Sequence, residues 1–405
     1  TGFWESWRPF GVERGRGRRG VSRSPTQSPE TAIETAIETA MEMVMEMEPG
    51  YQAALEGAAF LHREDRRFLE VTGKAPGDML KSVLSGAIPL PMRATADGLL
   101  EGAAPYSTVL TPRGKMVTDL RVIPQPPDGF LLELPESGLP GLEAHFRKYL
   151  NPRFARIRDR SGELGMVSVV GPRGQQISRE ALGSHGRWAE AGPGGEASAA
   201  DAGRAAAAPA GPAAAPAGPA AAPVGPAALS GPVAEAARFF THPTWGPILF
   251  LENRDLDLPA LDLVVVEAAA LDPVKDALRK AGASPMTPQD REVLRIEAGT
   301  PAFGLDMTEE TIPVEAGIQD RAIDYQKGCF TGHEVIIRIR DRGKVSRRLA
   351  RIILEESSPP GAKPFPPETE IFAQETGKPA GWITSACVSP RLGRTLARGS
   401  LPRAV

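Results

Sequence analysis

Residues 324–334 read Asp324-Tyr325-Gln326-Lys327-Gly328-Cys329-Phe330-Thr331-Gly332-His333-Glu334. Gly328 and Gly332 bracket the cysteine and permit the close approach of backbone to a ligand. Lys327 lies two positions before Cys329 and favours its thiolate by charge. His333 lies four positions after it and supplies a second cation or a base. Against this stands a plainer reading, in which Cys329 is a small packed residue beside a tight turn and chemically inert. These residues alone do not separate the two.

Upstream, Leu261–Val266 is a continuous apolar run that reads as a strand. Asp272-Pro273 opens a helix that reaches Ala281 and stops at Gly282. Thr287-Pro288 repeats the device with Asp290 as capping-box acid, and this helix runs to Ala298 and ends at Gly299. Further back, 66–72, 106–110, 116–123 and 130–134 read as strands. The second and third are joined by the turn Thr111-Pro112-Arg113-Gly114. Leu142, Phe146, Tyr149 and Leu150 mark one face of a helix over 139–150. Downstream, Val335–Arg340 and Val345–Leu354 flank Asp341-Arg342-Gly343-Lys344 as a hairpin, and three short strands follow at Glu370–Ala373, Ala380–Ser385 and Arg394–Ala397. Strands of this size suggest a small closed or nearly closed β-barrel. Strands and helices mix without a βαβα rhythm, so the fold class is α+β.

The chain has 405 residues, enough for two or three domains. Its excess of Gly (43) and Pro (40) is local. Residues 208–228 repeat a seven-residue unit, APAGPAA twice and then APVGPAA, inside an Ala/Pro/Gly spacer at 190–232. Proline at this density forbids a helix, and too few large apolar groups remain to bury a core. Residues 1–49 form a low-complexity extension, Arg-rich at first and then TAIETAIETAMEMVMEME over 31–48. An Arg-rich start can be an organelle transit peptide, although glycines at 11, 15, 17 and 20 weaken the helix it needs. The net charge of −3 directs the chain neither to nucleic acid nor to an anionic membrane. No run of about 18 apolar residues offers a membrane-spanning helix. Two cysteines, Cys329 and Cys387, rule out a disulfide scaffold and a four-cysteine metal or cluster site from this chain alone. Reduced thiols fit a bacterial cytoplasm, with a mitochondrial or plastid matrix as the alternative.

Lys327-Gly328-Cys329-Phe330-Thr331-Gly332-His333-Glu334 resembles the K-G-C-[FY]-x-G-Q-E signature of the YgfZ family of folate-binding proteins, relatives of the glycine-cleavage aminomethyltransferase. His333 stands where that signature has Gln. Arg295-Ile296-Glu297-Ala298-Gly299-Thr300-Pro301-Ala302-Phe303-Gly304 is similar to the shared R-x-E-x-G-x-P-x-x-G pattern. Ile312-Pro313-Val314-Glu315-Ala316-Gly317 resembles the P-x-E-A-G that follows it. Leu110-Thr111-Pro112-Arg113-Gly114-Lys115, then Asp119-Leu120, resembles the family's L-x-x-x-G segment with its D-L. The resemblance covers about 50–172 and 233–400.

The resemblance implies a cloverleaf of subdomains around a central channel with a C-terminal barrel. Residues 50–189 and 233–340 would form the two parts of a folate-binding region, and 341–405 the barrel domain. It implies tetrahydrofolate in the channel, and a role in assembling or repairing iron–sulfur clusters in client proteins, tRNA-modifying enzymes among them. A monomer, with no nucleic acid or membrane partner and no stable metal of its own, is expected. Cys329 would be the working thiol with Lys327 beside it, facing the folate cavity, and any iron on Cys329 would be transient. Gly328 and Gly332 would let the loop approach the ligand, and Glu334 would fix the loop by accepting backbone N–H bonds. Glu297 is the candidate acceptor for the pterin edge, or else a helix acid paired with Arg291 or Arg295. Arg295, Arg338 and Arg340 are available for the carboxylate tail, the last two on one face of their expected strand. Asp119 could touch folate. The transferase relatives have an Asp-Asp pair there, whereas this chain has Thr118-Asp119. Two alternatives remain open: a folate-dependent aminomethyltransferase, and a client-binding scaffold without catalysis.

Overall fold

The computed structural model describes residues 49–96, 98–126, 128–183, 235–343, 345–357, 365–374 and 376–403, with side chains at 355–357 left aside. The low-complexity reading of 1–48 and the spacer at 190–232 lie outside the described residues.

In chain order the elements are α1 (Pro49–Glu56), β1 (Ala59–His62), β2 (Arg66–Thr72), α2 (Pro76–Val83), β3 (Arg93–Ala94), β4 (Leu100–Ala104), β5 (Tyr106–Leu110), β6 (Met116–Gln125), β7 (Gly129–Pro135), α3 (Leu139–Tyr149), β8 (Arg156–Asp159), β9 (Gly165–Val170) and α4 (Gly174–Leu182). Then follow β10 (Glu235–His242), β11 (Gly246–Asn253), β12 (Ala260–Val265), α5 (Leu271–Lys280), β13 (Ser284–Pro285), α6 (Pro288–Ala298), α7 (Pro313–Ala316), α8 (Gln319–Ala322), α9 (His333–Arg342), β14 (Arg347–Ser357), β15 (Glu370–Phe372), β16 (Pro379–Ser389) and β17 (Arg394–Pro402).

These strands make three sheets. The largest has eight strands in the order β13-β1-β9-β12-β11-β10-β4-β3, and a five-stranded sheet runs β5-β6-β7-β2-β8. Strands from both sides of the 184–234 segment share the large sheet, since β9 pairs with β12 and β4 with β10. Alternation along β2 explains the layering. Leu69 and Val71 join Leu120, Val122, Leu132 and Leu134 against α2 and α3, while Phe68 points the other way. There Phe68, Ile123 and Leu131 meet Met166, Leu249, Leu251 and Val264 of the large sheet. The far face of the large sheet, with Val167, Val169, Phe250 and Leu263, is covered by Ile177 and Leu182 of α4 and by Val274 and Leu278 of α5. At about 25 cal/mol per Å² of apolar surface, these three interfaces supply the main driving force for folding.

The α6 capping box forms as the sequence implies. Thr287 N donates to Asp290 Oδ2 at 2.9 Å, Asp290 N donates to Thr287 Oγ1 at 3.1 Å, and Gly299 ends the helix at φ +77°.

Two expectations need correction. Residues 335–340 are not a strand; they belong to the helix α9, which runs on to Arg342 where the hairpin turn was expected. The β-branched Val335, Ile336, Ile337 and Ile339 suggest extension. The helix instead gains from Glu334 in its first turn, Arg340 and Arg342 in its last, and the Glu334–Arg338 pair four residues apart. The C-terminal sheet does not close. Its order is β14-β17-β16-β15, and the first and last strands are open edges among the described residues. The stretch that would have added a strand is helical. Ile296 of α6 packs on Cys387 and Leu396 of this sheet.

Candidate functional site

A cavity of about 340 Å³ opens where the β1–β2 turn, β5, β6, α6 and α8 converge. Arg63 and Asp65 line it from the turn, Arg66 from the start of β2, Tyr106 from β5, Asp119 and Arg121 from β6, Arg291, Glu292 and Arg295 from α6, and Arg321 from α8. Glu136, Asp255, Phe303, Leu305 and Ile318 complete much of the wall.

Most of these charges neutralise one another. Arg63 makes two 2.7 Å bonds to Asp65. Arg66 bonds Glu133, and Arg121 donates to Glu133 and Asp262 at 2.7 Å each. Arg295 reaches Asp306 at 2.6 Å and Glu292 at 2.8 Å. Arg321 reaches Asp255 at 3.0 Å and also bonds Glu235. Burial alone would raise Asp255, but Arg321 and Arg291 hold its carboxyl well below the usual range.

Asp119 differs. Tyr106 Oη donates to its Oδ2 at 2.8 Å, while Oδ1 is buried and has no hydrogen-bond partner. The other four carboxylates on the wall, Asp65, Glu136, Asp255 and Glu292, each form an ion pair with an arginine. Burial pushes the Asp119 pKa up, and the nearby Arg66 and the Tyr106 bond only partly offset it. Beside it, Thr118 is fully buried, with its hydroxyl donating to the Asp119 carbonyl. Gly138 makes the room, since a Cβ there would lie 1.9 Å from Thr118 Oγ1.

Of the residues expected at the site, Asp119 and Arg295 line this cavity; Cys329, Lys327, Gly328, Gly332, Glu297, Glu334 and Arg338 do not. Cys329 is exposed and is not among the residues that line this cavity. Lys327 turns to the end of α2, donating to Lys81 O at 3.0 Å and to Leu84 O, with its ammonium 5.1 Å from the Phe330 ring. Burial lowers its pKa to about 8. Asp324 N and Thr331 N donate to Ser85 O and Ser82 O, so the whole loop is pinned to the same helix end. Gly328 has φ +97°, with open space where a Cβ would stand. Glu334 does not cap the loop; it lies in solvent and pairs with Arg338 at 3.0 Å. Arg340 stacks 4.9 Å from the Tyr325 ring and bonds Asp341.

Glu297 is buried between α1 and the C-terminal sheet. It accepts from Tyr51 Oη at 2.8 and 2.9 Å and from Ser389 Oγ at 2.5 Å, with Arg391 at 3.4 Å. It pairs with neither Arg291 nor Arg295. Arg295 lines the cavity but is spent on Glu292, Asp306 and Thr300 O.

Arg63, Arg66, Tyr106, Asp255 and Arg321 belong to none of the motifs legible in the sequence, and Arg291 reads there only as a partner for Glu297. One signal was present, the charged run Arg63-Glu64-Asp65-Arg66-Arg67 between two strands. Among the described residues no group of three or more His, Cys, Asp or Glu side chains could hold a metal ion. No described helix is long and apolar enough to cross a membrane.

The fold is that of an aminomethyltransferase. The crystal structure of glycine cleavage system aminomethyltransferase T from Bartonella henselae superposes with a TM-score of 0.64 at 16% identity, over 88% of this chain and 81% of that one. In sequence, the chain is similar to the aminomethyltransferase of Moorella thermoacetica, 33% identical over 119 residues, 29% of this chain and 30% of that protein. The aminomethyltransferase of Corynebacterium jeikeium is 29% identical over 122 residues, 30% of each. The mitochondrial aminomethyltransferase of Solanum tuberosum is 32% identical over 194 residues, 42% of this chain and 45% of that protein. The chain thus spans less than half the length of these curated relatives. No protein-family model matches it.

Proposed function

We propose that the chain binds a reduced folate in the 340 Å³ cavity, and that its exposed Cys329 loop serves a partner protein. The observation that carries the folate reading is the unpartnered Oδ1 of Asp119. A buried acceptor without a donor costs about 1–3 kcal/mol, which a ligand donor recovers. The donor edge of a pterin fits this need, and the flanking Phe303, Leu305 and Ile318 suit its flat rings. Asp119 would hold the ring edge, Tyr106 would fix the Asp119 rotamer, and the apolar residues would exclude water. When bound, a reduced folate supplies one-carbon carrying capacity at its ring nitrogens.

The finer reading follows the K-G-C loop. Cys329 lies on the surface, outside the cavity, so its thiol is open to a docked protein. This suits help in assembling or repairing the iron–sulfur cluster of a client, tRNA-modifying enzymes included, in the cloverleaf arrangement that the resemblance implies. The client would supply the remaining iron ligands.

A folate-dependent aminomethyltransferase is the second reading, favoured by the fold and the relatives. Thr118 weighs against it: a buried hydroxyl already bonded to backbone stands where the resemblance calls for a second acid.

Calorimetric titration of tetrahydrofolate into wild type, Asp119→Asn and Glu297→Gln tests the folate reading. Asp119→Asn is expected to bind about ten- to hundredfold more weakly, by loss of a charge-assisted bond, with wild-type affinity in Glu297→Gln. Equal affinity in wild type and Asp119→Asn would refute it.

A further inference from the structure

Charge is unevenly placed along this chain. Residues 338–403 carry 13 Lys or Arg against 6 Asp or Glu, while the whole chain carries 47 against 50. Seven of those 13 fall between Arg338 and Arg351, where α9 gives way to β14. Arg338 and Arg340 pair with Glu334 and Asp341, but Arg342 is exposed and has no ion pair among the described residues.

β14 leads this charge onto a bare end of the C-terminal sheet. Directly paired residues of antiparallel strands share a face, and the register sets Leu349, Ser400, Trp382 and Glu370 side by side across β14, β17, β16 and β15. Arg347 and Phe372 follow on the same face, each two residues along its strand. In the other direction along this face, Arg351 and Arg398 bond the backbone of Glu297 and Gly299, so the end of α6 covers it. The Arg347 end is exposed instead. Phe372 is 55% and Trp382 36% exposed, and the Arg347 guanidinium lies 4.3 Å from the centre of the Trp382 ring. Arg347 has no ion pair among the described residues, so its charge is free to meet an anion from outside.

We propose that this end of the sheet binds a segment of single-stranded RNA, with bases stacked on Trp382 and Phe372 and phosphates held by Arg342 and Arg347. Every base has a flat face that stacks on an aromatic ring, and a guanidinium adds to such a stack while meeting the backbone charge. Glu370 decides which anionic partner fits. An anionic membrane that took in the two rings would have to desolvate this carboxylate beside like charges. In an RNA complex the same carboxylate accepts a hydrogen bond from a ribose 2′-hydroxyl, which DNA lacks. The inference is independent of the folate reading. It departs from what the net charge of the whole chain implies, because a phosphate backbone meets the local charge.

The test is fluorescence anisotropy of a labelled oligouridylate of about 12 nucleotides with the full chain, repeated with the oligodeoxyuridylate of the same length. Co-sedimentation with vesicles of mixed phosphatidylglycerol and phosphatidylcholine is the membrane arm. Wild type is expected to bind the RNA, and the deoxy oligomer about fivefold more weakly, a preference that Glu370→Ala loses. Trp382→Ala is expected to bind the RNA about tenfold more weakly or worse. Arg342→Ser and Arg347→Ser should each lower the slope of log affinity against log salt by about 0.7. Should Trp382→Ala fail to fold, Phe372→Ser, at a residue more than half exposed, carries the stacking test with the same expected loss. Four results overturn the proposal: no RNA binding by wild type, equal binding of the two oligomers, unchanged RNA affinity in Trp382→Ala and Phe372→Ser, or binding to the vesicles in place of RNA.

Discussion

Gly332 sits so close to Thr111 that a Cβ on it would lie 2.6 Å from the Thr111 carbonyl oxygen. Two motifs far apart in sequence, the turn at 111–114 and the cysteine loop, therefore meet backbone to backbone. Gly114 reciprocates, since a Cβ there would approach Val335 Cγ1 to 2.9 Å. Phe330 and Ile336 continue the contact into a cluster with Leu110, Met116 and Phe303. Phe303 also lines the cavity, so the loop and the cavity share one wall.

Gly332→Ala is expected to destabilise the fold by about 2–4 kcal/mol, because alanine is strained at φ +84° and its methyl meets backbone. Urea unfolding followed by circular dichroism checks this. A loss under about 0.5 kcal/mol would mean that the loop does not rest on the turn.

Only one of the two thiols should react in the native state. Cys329 is exposed, whereas Cys387 is 4% exposed and burial pushes its thiol pKa up to about 12. Brief treatment with iodoacetamide at pH 8, followed by peptide mass spectrometry, is expected to find label on Cys329 alone. Cys329→Ala should melt within a degree or two of wild type and fail to support an iron–sulfur client. Full complementation by that variant would remove the thiol from the mechanism.

Glu297 has a structural assignment that makes a different prediction from a binding one. Its carboxylate ties Tyr51 of α1, Ser389 of β16 and Arg391 together, and its removal leaves buried donors unmet. Glu297→Ala is expected to cost about 3–5 kcal/mol in denaturant unfolding. If stability is unchanged and tetrahydrofolate affinity falls, Glu297 belongs to the ligand after all.

His145 gives the fold a pH dependence. Burial lowers its pKa to about 4 from an ordinary value near 6.5, its Nε2 has no partner, and its ring lies 4.4 Å from that of Tyr149. Between pH 6.5 and 4 the unfolded chain therefore binds more protons than the native one, so stability falls as pH falls through that window. His145→Gln should flatten the slope there and leave stability above pH 7 little changed in its pH dependence. Thermal melts from pH 4 to 8 measure it. Parallel slopes for variant and wild type would assign the acid sensitivity to other groups.

Local chemistry, read from the sequence alone, determined the elements whose signals are short-range. The capping box at Thr287 and Asp290, the stop at Gly299, the turn at Thr111–Gly114 and the strands on either side of it depend on neighbours within four residues. The helix at 333–342 escaped because β-branched residues imitate a strand, and what tips the balance is a set of weak charge effects along one turn. Tertiary structure alone decided which buried donors are left without a hydrogen-bond acceptor. Arg291 and Arg295 both lie on α6 in a charged helix, yet one finds Glu292 and Asp306 and the other finds no hydrogen-bond partner. Glu292 is local to Arg295, but Asp306 lies 11 positions on, and the Asp255 carboxylate nearest Arg291 is already hydrogen-bonded to Arg321, a placement that exists only once the chain is packed. Cys329 faces solvent and not the cavity for the same reason: Lys327 and the loop backbone are held by the end of α2, some 240 residues earlier in the chain.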